Sequence, residues 1–183
     1  MDDPDDINPS NAYGTDALGR LGRGLEWIVE MSGRIAMFLV LALVLLVSAN
    51  VVLRYFFSIG PVSMQELEWH ILAPVAMIGC AYTMRHHGHV RVDLLYDKFA
   101  PRTQNFVNLF TSIALFILCV LTVKLSLNFV SMAYDISEGS PDPGGLPHRF
   151  LLKAMVPLGF TLLAIQAAAH SILYFTRITG SNS

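Results

Sequence analysis

The stretch IAMFLVLALVLLVSANVVL, residues 35–53, contains no charged side chain and decides the class of fold. About 20 helical residues cross the ~30 Å hydrocarbon layer of a bilayer, and lipid offers no partner to a bare peptide group, so such a run is a membrane helix. Three more runs fit the same description with interruptions. Residues 67–84 carry Glu68, His70 and Pro74; residues 106–129 carry Lys124 near their end; residues 154–175 carry Pro157, Gln166 and His170. The reading is an all-α membrane protein with four transmembrane helices. Barrel strands would instead alternate apolar and polar residues over ~10 positions.

Composition agrees. Of 183 residues, 54% are hydrophobic and 14% charged, well under the roughly 25% charged of soluble chains. Twelve Lys and Arg against fourteen Asp and Glu leave no basic excess for a phosphate backbone, which argues against nucleic acid as a partner. Cys80 and Cys119 both lie in apolar runs, so neither a disulfide framework nor a cysteine zinc site is indicated. Residues 1–16 read as a disordered acidic tail, 17–177 as the transmembrane domain and 178–183 as a C-terminal tail.

Cations near the span ends set the expected orientation. Arg20, Arg23, Arg34, Arg85, Arg91, Lys98, Arg102 and Arg177 fall on one side, eight in all, against Arg54, Arg149 and Lys153 on the other. Both termini are therefore expected in the cytoplasm. Two amphipathic stretches read as interfacial helices. Leu18, Leu21, Leu25, Ile28 and Val29 recur at helical spacing within residues 17–31, ahead of the first turn into the membrane. Val90, Leu94, Leu95 and Phe99 form the second, between spans two and three. Residues 131–150, with three prolines and Gly144-Gly145, read as an outer loop that cannot continue a helix.

Ionisable groups inside a span are costly and need a partner, a water path or an interfacial place. Glu66 and His70, four apart, share a helical face; Glu68 lies on another at the same outer depth. Two readings stand: a proton or cation site, or an interfacial cluster near the outer headgroups in which Arg54 pairs with Glu66. The second is preferred, because no ionisable residue continues that face toward the inner end. His86, His87 and His89 with His170 raise a haem-binding alternative, weakened because neighbouring histidines point about 100° apart on a helix. Small residues Ala73, Ala76, Gly79, Cys80 and Ala81, with Ala164 and Ala167–169, predict close helix contact. No catalytic or phosphate-cradling motif is present, so no enzyme activity and no cofactor or metal is expected.

The segment RYFFSIGPVSMQELEWHILAPVAMIGCAYTMRHHGHVRVDLLYDKF, residues 54–99, resembles the small membrane subunit of tripartite ATP-independent periplasmic (TRAP) transporters. The points of likeness are Arg54-Tyr55, Glu66-Leu67, Gly79 and GHVRVDLL over residues 88–95; the outer loop SPDPGGLPHRFLLKAMVP is similar to the 2-oxoacid, mannitol or chloroaromatic branch. The resemblance implies a non-catalytic scaffold for a large elevator-type permease subunit. It also implies sodium-coupled transport of an organic acid or related solute delivered by a periplasmic substrate-binding protein. Arg54, Glu66, Glu68, His70 and Gly79 would then be structural or subunit-interface residues, and His89, Arg91 and Asp93 would anchor the inner loop. The alternatives are a b-type haem redox subunit and an independent proton-coupled carrier. Gln65 and the Glu68-Trp69-His70 triplet depart from the family's usual pattern at the outer end of span two.

Overall fold

A computed structural model describes residues 17–86 and 99–180. Four helices make up the described chain: α1 (Ala17–Phe56), α2 (Val62–Arg85), α3 (Pro101–Asp135) and α4 (Phe150–Gly180). Prolines mark two starts. Pro61 in extended geometry precedes α2, and Pro101 opens α3, where a missing N–H costs nothing. α3 ends at Ile136 and Ser137, the latter at φ 49°, so the helix runs four residues farther into the expected outer loop than residue 131. α4 continues to Gly180, past the expected domain edge at 177.

The largest departure from expectation is at the N-terminal side. Residues 17–31 do not form a separate surface helix that turns into span one; they are the first turns of one uninterrupted 40-residue helix. Two observations explain it. Gly33, the natural breaking point, is held in the helix because only a bare Cα fits there: a Cβ would stand 2.0 Å from the Tyr82 ring. The face turned inward also follows the apolar stripe only in part. Gly22, Glu26, Val29, Ser32, Gly33 and Ala36 are buried, while Leu21 and Ile28 are exposed. Hydrophobic periodicity pointed to a face, but small side chains chose the packed one. The second amphipathic stretch, between spans two and three, lies outside the described residues apart from Phe99.

α4 is the central element. It packs along α3 on one side and against α2 and α1 on the other, while α3 leans chiefly on α4. The interior is built largely of alanine: Ala36, Ala81, Ala164, Ala167 and Ala169 are buried with Val29, Ile78, Met84 and Leu173. Side chains this small bring backbones together, which is how membrane helices gain contact where lipid is as apolar as leucine. Gly159 shows the same economy, since a Cβ there would stand 2.4 Å from Met77 Cβ. Ala76, Gly79 and Cys80 behave differently. Ala76 and Cys80 are exposed, and nothing lies within 4 Å of where a Gly79 Cβ would be, so this part of the predicted contact face is unused within the chain.

By length and composition, α1, α3 and α4 can each cross a membrane. α2 is long enough at 24 residues but carries Glu66, Glu68 and His70 in its first three turns.

Candidate functional site

Polar side chains gather at two levels of the bundle. The outer group is built on the first turns of α2, where the helix meets the loop 136–149. Glu66 is buried at 4% exposure, and both its oxygens are engaged. Oε1 accepts a hydrogen bond from Ser140 Oγ, and Oε2 accepts the backbone N–H of Leu146 at 2.5 Å. The loop is shaped to deliver those donors. Ser140 N–H donates to Leu146 O at 3.1 Å, Gly145 N–H to Asp142 O at 3.0 Å, and Asp142 N–H to Ser140 Oγ at 3.1 Å. Gly145 must lack a Cβ, which would stand 2.8 Å from Glu66 Oε2, and Gly144 takes φ +82°, a conformation that favours glycine. The base of the loop is closed by Arg149 N–H donating to Glu138 O at 2.9 Å. It is closed again by Lys153, whose Nζ donates to Glu138 Oε2 at 2.5 Å and lies 4.0 Å from the Phe129 ring centroid.

The remaining outer residues are used differently. Glu68 Oε1 accepts Asn50 Nδ2 at 2.8 Å, joining α2 to α1 through a side chain, Asn50, that is 9% exposed. His70 Nδ1 lies 2.7 Å from Glu66 O; a carbonyl can only accept, so this nitrogen carries the proton. Glu66 and His70 do share a face, but the Glu66 carboxylate is turned to the loop and His70 meets only the backbone. Arg54 is exposed and does not pair with Glu66, whose two oxygens are held by Ser140 and Leu146. His89, Arg91 and Asp93 lie outside the described residues.

Of the inner group, the sequence singled out only His86 and His170, as haem-ligand candidates, and not the ion pairs of Glu30. Glu30 of α1 pairs through Oε2 with Arg85 Nη1 at the end of α2, His86 Nε2 lies 3.3 Å from the same oxygen, and Arg34 Nε approaches Oε1 at 3.8 Å. The His86 ring stands 4.4 Å from that of Tyr82. Glu26, Ser32, Gln166 and His170 are further buried polar side chains of α1 and α4. The available signal was acid at Glu26 and Glu30, one helical turn apart, in a stretch read as an amphipathic interfacial helix. Among the described residues, Glu66, Glu68, Glu30 and Lys153 each join helix to helix or helix to loop, and no chain of such groups leads across the bundle.

A family model described as "Tripartite ATP-independent periplasmic transporters, DctQ component" matches residues 43–177. The chain belongs to the DctQ family. DctQ-type relatives include a protein of Haemophilus influenzae assigned as a TRAP transporter small permease, 28% identical over 144 residues, which cover 78% of this chain and 88% of that protein. Another is the ectoine TRAP transporter small permease protein TeaB of Halomonas elongata, 28% identical over 122 residues, covering 64% of this chain and 60% of TeaB. No solved structure matches. The chain is thus a small permease component of a TRAP transporter, a multi-pass protein of the inner membrane. The DctQ match takes in the whole outer group and Arg85, whereas Glu26, Glu30 and Arg34 precede it.

Proposed function

We propose that this chain is the non-catalytic scaffold of a sodium-coupled, binding-protein-dependent transporter, fixed beside a large elevator permease subunit that holds the solute and ion sites. All four helices span the membrane, with both termini in the cytoplasm as the distribution of Lys and Arg favours. The outer loop 136–149 faces the periplasm and helps receive the substrate-binding protein. The observation that carries this reading is the use made of the polar groups. Glu66 fastens a loop, Glu68 fastens α1, and Glu30 fastens Arg85, so the ionisable residues act as joints. An elevator carrier needs a neighbour that stays still while it moves, and a thin bundle of alanine-packed helices enlarges the lipid-anchored fixed part.

Arg54, Gly79, Glu66, Glu68 and His70 are structural or subunit-interface residues in this scheme, and His89, Arg91 and Asp93 anchor the inner loop. The solute is an organic acid or related compound, as the outer-loop resemblance favours. Its selection belongs to the other subunits, consistent with a relative whose name specifies ectoine. The test is co-expression with a large TRAP permease subunit of the same organism and affinity purification through a tag on this chain. The large subunit is expected to co-elute, and uptake into vesicles should require both chains together with the binding protein. Uptake by this chain alone would overturn the scaffold role.

A further inference from the structure

The helices are packed in a register that does not line up their apolar runs. α1 and α2 lie antiparallel, with Glu30 at Arg85, Gly33 at Tyr82 and Asn50 at Glu68. α2 and α4 lie parallel, with Glu66 beside Leu146 and Met77 against Gly159. α3 and α4 lie antiparallel, with Phe129 at Lys153 and Tyr134 at Phe150. Carried across the bundle, these pairings put Arg34 of α1 at the level of Leu163 on α4, and Lys124 of α3 at the level of Gly159. The two cations are therefore only about one helical turn, ~6 Å, apart along the bundle axis.

Both are exposed, Arg34 with 62% of its side chain accessible. They nevertheless belong to opposite ends of their own apolar runs. Arg34 stands just before the uncharged stretch 35–53, at its inner end. Lys124 follows the uncharged stretch 103–123, whose exposed inner face is Phe106, Phe110 and Ile117, at 60, 74 and 61% exposure. An upright bundle has no good position in a bilayer. Centred on the runs of α3 and α4, it holds the exposed Arg34 close to the middle of the hydrocarbon, a costly place for a cation. Centred on the run of α1, it leaves Phe106, Phe110 and Phe175 in water on the inner side and brings Lys124 toward the middle.

We propose that the bilayer crosses this chain obliquely, with the bundle axis inclined about 45° from the membrane normal, so that Arg34 lies toward the inner surface and Lys124 on the outer side of the midplane. The angle follows from the stagger. The midpoint of the α1 run, Val44, is level with about Val130 on α3, whereas the α3 span 106–129 centres near Leu118. That is a stagger of about 12 residues, or ~18 Å, across two interhelical spacings of roughly 16–20 Å in total. An inclination of this size is slightly steeper than the range of about 0–40° that membrane helices usually adopt. Lys124 then extends its side chain from the outer half of the bilayer toward the outer headgroups. The consequence for shape is a raised shoulder: the tip of the α3–α4 hairpin, residues 131–149, stands out on the outer side. The inner half of α1, residues 17–33, projects beyond the opposite surface. The lipid contact of this chain is accordingly a slanting band, and the loop fastened by Glu66 is the part lifted toward a periplasmic partner.

This inference rests on the reading that α1, α3 and α4 cross the bilayer, and the experiment separates the two. Single cysteines are placed at exposed positions in the full chain with Cys80 and Cys119 replaced by alanine. They are spin-labelled, and the protein is reconstituted in phosphatidylcholine–phosphatidylglycerol vesicles. Depth is read from the relative collision rates with oxygen and a water-soluble nickel complex. Two pairs lie level along the bundle: Ile35 with Leu121, and Leu45 with Ser131. In the oblique orientation Leu45 and Leu121 report from deep in the hydrocarbon, while Ile35 and Ser131 report from near its two surfaces. The difference within each pair is roughly 7–14 Å of depth. Equal depths within both pairs would overturn the inclination while leaving the spans intact. Nickel access at all four positions would overturn the membrane reading itself.

Discussion

Glu66 is the residue on which the outer end of the molecule turns. A carboxylate has lone pairs for several donors, and here two from one loop, a hydroxyl and a backbone N–H, converge on it. Glutamine has the same length but no charge and only one acceptor oxygen; it can keep the Leu146 N–H only if its NH2 donates to Ser140 Oγ, which replaces two charge-assisted hydrogen bonds by weaker neutral ones. In Glu66→Gln the Leu146 amide is expected to exchange with solvent deuterium faster than in the parent chain, while amides of α4 between Gly159 and Ala169 keep their protection. Hydrogen exchange followed by mass spectrometry checks this; an unchanged Leu146 amide would show that the loop holds its shape without the carboxylate. The sequence placed Glu66 and His70 on one face, and that is how they stand. It did not show that the carboxylate would turn away from the helix, because its partners, Ser140 and Leu146, lie 74 and 80 residues farther along the chain. The expected Arg54 pair is not made for the same reason: the Glu66 carboxylate is turned to the loop, and Arg54 remains exposed.

At the scale of elements, three glycines that look alike in sequence have different duties. Gly33 and Gly159 are points of close approach, against Tyr82 and Met77, whereas Gly79 has open space beside it. Gly33→Ala forces a methyl group into the Tyr82 ring and is expected to cost about 1–3 kcal/mol through overpacking. Gly159→Ala meets Met77 Cβ and backbone, and the same range applies. Gly79→Ala is expected to be neutral or to stabilise the chain by up to about 1 kcal/mol through better helix propensity. Thermal unfolding of the three variants in detergent orders them: Gly33→Ala and Gly159→Ala melt below the parent, and Gly79→Ala at or above it. A Gly33→Ala chain as stable as the parent would mean that the joint between α1 and α2 is looser than drawn. Helix existence was readable from apolar runs of the right length. The fusion of residues 17–31 with span one was not, because it depends on a tyrosine ring 49 positions away filling the space that Gly33 leaves.

For the whole molecule, orientation across the membrane is the property most open to direct measurement. Gly139 has open space beside it in the outer loop, and Thr179 is exposed near the end of α4. In a background with Cys80 and Cys119 replaced by alanine, Gly139→Cys should react with a membrane-impermeant maleimide in cells whose outer membrane alone is permeabilised. Thr179→Cys should react only after the inner membrane is opened. The reverse pattern would invert the topology and move the outer loop away from any periplasmic partner.

Sequence alone determined that this chain is a helical membrane protein and which family it resembles. Both depend on local quantities: the length of an uncharged run against the thickness of a bilayer, and the order of short motifs along the chain. Tertiary structure decided which polar groups become joints, which small residues are buried, and how the apolar runs are staggered against one another. Those depend on register between helices, and register is set by contacts between residues far apart in the chain, such as Glu30 with Arg85 or Gly159 with Met77. No local pattern carries that information.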